Sequence, residues 1–104
     1  MIYDLVISTL VPGKMTEWGE IASKELAPLR LKIGIKQVGS FHAYTGDMNK
    51  IYTLRVFDDL TAFEKTRIAQ GTDKDWQRVQ AKMFALQVSQ TLTLLEPNPW
   101  SPMK

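Results

Sequence analysis

A chain of 104 residues, 44% hydrophobic and 23% charged, has the proportions of one ordinary globular domain, expected to span residues 1–104. It contains no cysteine, which excludes disulfide staples, thiolate metal sites and a cysteine nucleophile together. The net charge of +2 is spread along the chain, with only Arg30, Lys32 and Lys36 close together, and so diffuse a balance argues against a nucleic-acid surface.

The first ten residues, MIYDLVISTL, enter an apolar pattern at once, without a basic leader. Apolar runs such as Leu5-Val6-Ile7 fall far short of the roughly 20 residues that a membrane-spanning helix needs. A cytoplasmic protein with no membrane contact is expected. Within this opening, Ile2–Leu10 is rich in strand formers, with Asp4 and Ser8 at alternate positions, and reads as a strand that Pro12-Gly13 ends.

From Met15 the apolar residues Met15, Trp18, Ala22, Leu26, Leu29 and Ile33 recur at steps of three and four, which draws one stripe down a helix. Pro28 predicts a kink or an early stop, and Gly34 closes the segment. Two β-prone runs then flank the turn formers Gly46-Asp47-Met48-Asn49-Lys50 and predict a hairpin. Asp58-Asp59 supplies an N-cap for a helix over 60–70, which Gly71 ends. Thr72-Asp73-Lys74-Asp75 fits a capping box for a second helix carrying Trp76, Val79, Met83 and Leu86. Residues 89–95 alternate threonine with leucine as a last strand. The tail that follows holds three prolines and Trp100, and is expected to lie across the body or a partner subunit.

The order β-α-β-β-α-α-β is an α+β, ferredoxin-like arrangement, an antiparallel sheet with helices on one face. Alternation sorts its side chains into two faces. Tyr3, Leu5, Ile7, Phe41, Tyr52, Leu54, Val56, Leu92 and Leu94 form a uniformly apolar set, the natural choice for the helix-covered side. Asp4, Ser8, Ser40, His42, Tyr44, Thr53, Arg55, Thr91 and Thr93 then fall on the opposite face, mixed with Val6 and Phe57, which suits a half-polar interior between two packed sheets. One sheet face of so small a domain needs a partner, so a homodimer is expected.

Several segments together resemble the NIPSNAP family of the dimeric α/β barrel superfamily. They are Ile2-Tyr3-Asp4-Leu5, Pro12-Gly13-Lys14, Val38-Gly39-Ser40-Phe41 with Gly46 after it, Phe57-Asp58-Asp59-Leu60, Asp75-Trp76 and Glu96-Pro97-Asn98-Pro99-Trp100-Ser101-Pro102. The resemblance implies a homodimer in which two ferredoxin-like sheets pair into a barrel. Family members commonly carry an acidic-Leu-Arg run on the first strand and a histidine or tryptophan on the third, where this chain has Asp4-Leu5-Val6 and Thr53-Leu54-Arg55. The family is functionally obscure, and related barrels include cofactor-independent monooxygenases, haem enzymes and isomerases, among which a fold does not choose.

His42, the only histidine, is the candidate catalytic residue, a general base or a hydrogen-bonded polar position. Arg55 either binds a carboxylate or phosphate, or pairs with Asp4 or with a carboxylate of a partner subunit. Tyr44 is a candidate donor to a bound oxyanion, and Trp18 and Trp76 are core or the wall of an aromatic pocket. The expected ligand-binding set is therefore Asp4, Tyr44, Arg55 and Trp76, for a small anionic or aromatic molecule. Neither a metal nor a cofactor is expected. Ile51-Tyr52-Thr53-Leu54-Arg55-Val56-Phe57 does not match the aromatic motif by which RNA-recognition domains of this topology bind. Two functions are consistent with these residues, a small-molecule binding module and a cofactor-independent monooxygenase or isomerase with His42 as proton shuttle.

Overall fold

In the computed structural model, which describes residues 1–104, the elements follow the expected order. β1 spans Ile2–Leu10, α1 Met15–Ile21, α2 Ala27–Ile33, β2 Lys36–His42, β3 Lys50–Phe57, α3 Leu60–Thr72, α4 Lys74–Phe84 and β4 Gln87–Leu95. α1 and α2 are joined without a break by one wider turn, Ala22–Leu26, in which the Ala27 N–H donates to the Ala22 carbonyl five residues back. Pro28 accounts for the widening. It has no N–H, and in a regular helix its ring collides with the carbonyl four residues earlier, whereas a π turn moves that carbonyl aside. The expected kink or stop is replaced by this local expansion, and the helix continues to Gly34, left-handed at φ 93° with its N–H donating to the Arg30 carbonyl.

Capping shifts two other boundaries. Gly71 lies inside α3 instead of ending it. Asp73 both closes α3 and opens α4, its carboxylate accepting from the Trp76 N–H at 2.8 Å. The cap is thus Asp73 and not Thr72, whose hydroxyl donates back to the Ile68 and Ala69 carbonyls. Asp59 caps α3 as expected, accepting from the Ala62 N–H.

The strands form one antiparallel sheet in the order β2-β3-β1-β4, with the helices on one side. The side they take is the reverse of the expected one. Leu10 of β1 and Ile51 and Phe57 of β3 pack into the helix-side core with Trp18, Leu26 and Val79. Alternation carries Asp4, Val6, Ser8 and Arg55 to that same face. The apolar set Leu5, Ile7, Tyr52, Leu54 and Val56 faces away from the helices and is only half-buried in the single chain. β4 alone keeps its expected side: Val6 pairs with Leu92 and Asp4 with Leu94, so the two leucines lie on the helix face, and Thr91 and Thr93 lie beside Ile7 and Leu5 on the open one. Alternation divides each strand into two sets but does not say which set joins which across strands; register does.

No helix is long and apolar enough to cross a membrane. Beyond β4, Trp100 is 81% exposed, so its ring covers little of its own chain.

Candidate functional site

Asp4 and Arg55 are direct register partners at the centre of the sheet. Arg55 donates to the carboxylate from Nε at 2.7 Å and from Nη2 at 2.5 Å. Asp4 is fully buried and Arg55 nearly so. A lone charge at either position would cost several kcal/mol, and the two-bond fork is what makes the pair tolerable there. Of the alternatives open to Arg55 in the sequence, the internal pair with Asp4 is the one the chain adopts. The guanidinium also lies 5.9 Å from the centre of the Phe57 ring, two residues on along the same face.

Above this pair, between sheet and helices, lies a cavity of about 90 Å³. Trp18, Leu26, Trp76 and Met83 supply its helix-side apolar wall, and Val6 and Leu92 its apolar floor. Three arginines line it, Arg30 from α2, Arg55 from β3 and Arg67 from α3, and no carboxylate does. Asp4 compensates only Arg55. Arg30 and Arg67 enter none of the ion pairs, Arg67 lying instead against the Phe63 ring at 5.8 Å. Arg30 Nε is buried and donates to nothing, and so is the indole Nε1 of Trp76. Burial, with the Arg55 charge added to it, pulls Arg30 down from the ordinary arginine value to about 10.

Three of the sequence candidates therefore gather here: Arg55 and Trp76 in the lining, and Asp4 behind Arg55. The other two stand apart. His42 ends the edge strand β2 opposite Ile51, on the face of Arg55 but four residues from it along β3, and is solvent-exposed. Tyr44 lies past the end of the strand and is 92% exposed. The lining contains no histidine, carboxylate, lysine, tyrosine or cysteine, so no side chain in it exchanges a proton near neutral pH.

Sequence reasoning missed Arg30 and Arg67, although a signal existed for each. Trp18, Ala22, Leu26 and Arg30 descend the first helix in steps of four, which puts an arginine at the end of a buried stripe. Phe63 and Arg67 repeat the step on α3.

Comparison with known proteins agrees with this architecture. The NIPSNAP family model matches residues 3–102. The Protein NipSnap homolog 2 of Danio rerio is 30% identical over 108 residues that take in 99% of this chain, and the chain spans only 35% of that relative's length. A crystal structure of a NIPSNAP family protein from Agrobacterium tumefaciens superposes with a TM-score of 0.91 at 21% identity, covering 99% of this chain and 98% of the other. An antibiotic biosynthesis monooxygenase shares the fold at a TM-score of 0.71 and 13% identity, over 95% of this chain and all of its own.

Proposed function

The chain belongs to the NIPSNAP family, and on that premise we propose that it is a homodimeric binding module that holds a small anionic molecule in the cavity between sheet and helices. The observation that carries this is uncompensated charge: three arginines line the cavity, no carboxylate does, Asp4 answers only Arg55, and Arg30, unlike the solvent-exposed Arg67, has a buried nitrogen with no acceptor. A bound anion supplies the missing charge where the surroundings strengthen each electrostatic contact. The small volume, below the 300 to 1,000 Å³ usual for drug-sized ligands, suits a molecule of a few heavy atoms. The monooxygenase or isomerase alternative needs a proton carrier, and His42 lies outside the cavity.

The dimer is supported by the face that the helices leave open. Leu5, Ile7, Tyr52, Leu54 and Val56 make a contiguous apolar patch on the two central strands. A second copy related by a two-fold axis offers the same patch in return, and such an interface buries more than about 1,200 Å² in total. A cytoplasmic location belongs to the same proposal, since a chain free of cysteine gains nothing from an oxidising compartment.

Calorimetry and thermal unfolding of the chain against acetate, benzoate, phosphate and sulfate at low ionic strength test the binding function. At least one anion is expected to bind saturably and raise Tm; no response to any of them overturns it. Sedimentation at micromolar concentration tests the dimer, which a species of 11.9 kDa alone would refute.

A further inference from the structure

We propose that the occupant of the cavity is a small monocarboxylate with an apolar body, and that Arg30 and the indole N–H of Trp76 are the donors that recognise its carboxylate. This rests on the anion-binding reading above and specifies its ligand and its contacts.

Two buried donors without acceptors occur in the lining of one cavity, on different helices. Folded proteins rarely leave such groups unmatched, and the Trp76 side chain has no access to water to compensate, with the residue only 4% exposed. Both groups are donors only, and one is a cation at neutral pH. The partner they lack therefore brings acceptors and negative charge. The third orphaned atom, Gln87 Oε1, does not line this cavity, so nothing in the site calls for a ligand donor of its own.

The remaining walls choose among anions. A guanidinium fork matches the planar, two-oxygen face of a carboxylate. Phosphate and sulfate present acceptors on every side, whereas here Ser8, Thr53, Gln70, Gln80 and Gln90 share the wall beyond the arginines with a larger apolar part that includes Trp18, Leu26, Met83, Val6 and Leu92. Arg55 is already occupied by Asp4, and Arg67 lies against Phe63 and is exposed, which leaves Arg30 as the guanidinium with neither an ion-pair nor an aromatic partner.

The test is calorimetry of propionate, benzoate, phosphate and sulfate with the wild-type chain and with Arg30→Gln, Arg30→Lys and Trp76→Phe, each variant checked for a cooperative unfolding transition. A carboxylate is expected to bind, Arg30→Gln to weaken it roughly ten- to a hundredfold, and Arg30→Lys to recover only part of the loss because the fork is gone. Trp76→Phe, which keeps a ring and removes the N–H, is expected to weaken it severalfold. In the wild type the Trp76 indole proton, identified by its loss in that variant, should shift downfield on titration. Binding of phosphate or sulfate with no binding of either carboxylate overturns the ligand class while anion binding stands. Carboxylate binding unchanged in Arg30→Gln and Trp76→Phe overturns the assignment of the donors. Absence of all four overturns this proposal together with the reading it rests on.

Discussion

Arg55 grips Asp4 through two hydrogen bonds across the β1–β3 pair, and the buried carboxylate accepts from no other donor. The two charges cancel under the cavity floor. What remains is the charge of Arg30, which no side chain offsets, with the solvent-exposed Arg67 at the cavity's edge.

Removing half of the pair should be far worse than removing all of it. Asp4→Ala leaves a guanidinium buried without its partner and is expected to cost about 3–5 kcal/mol, read from the urea midpoint. Asp4→Leu combined with Arg55→Met replaces the pair by apolar groups and should cost less than Asp4→Ala alone. A double variant less stable than the single one would contradict this account.

Arg30 makes the unliganded protein pay for its site. Burial first, and Arg55 second, lower its pKa to about 10. At neutral pH both the folded and unfolded states carry its proton, and the folded state bears the buried charge. Above about 10 the folded chain has released the proton while the unfolded chain, with the higher ordinary arginine value, still keeps it, so unfolding takes up a proton and this group's contribution to stability rises with pH. Arg30→Gln is therefore expected to stabilise the ligand-free protein at pH 7, with its advantage shrinking as pH climbs past about 10. Urea unfolding of both proteins across that range measures it.

Asp73 works at a junction. Its carboxyl is held below the usual value of 3.8 by the Lys32 ammonium first and the Trp76 N–H second. The resulting stabilisation is fully present above 3.8 and is lost as pH falls through the lowered folded value. Asp73→Ala should lower Tm by a few degrees at pH 7, with the difference vanishing in strong acid. Because the cap sets the first turn of α4, the same variant should also weaken ligand binding at Trp76.

Leu54 sits at the centre of the open sheet face, opposite Leu5. Leu54→Glu is expected to leave anion binding intact, since the cavity lies on the other side of the sheet, and to give a monomer of 11.9 kDa by sedimentation. A dimer that survives this change would place the interface elsewhere.

Element order, the hairpin, the helix stripe from Met15 to Ile33 and the shared face of Asp4 and Arg55 were all legible in the sequence, because each follows from spacing along a short stretch. Boundaries failed where two residues competed for one role, as at Thr72 and Asp73, or where a neighbour could relax, as around Pro28.

Alternation fixes the two sets of side chains on each strand before any packing, since a pleated backbone admits nothing else. Which set the helices cover is settled only when the helices pack on the sheet. Composition favoured the uniformly apolar one, but a bidentate ion pair can be buried when its partners lie directly opposite, and Leu10, Ile51 and Phe57 at the ends of the polar face complete a core around it. The cavity was beyond sequence reasoning for the same reason. Arg30, Arg55, Arg67 and Trp76 come from four separate elements, and only the packing of α2, α3 and α4 on the sheet brings their charges and their unpaired donors to one point.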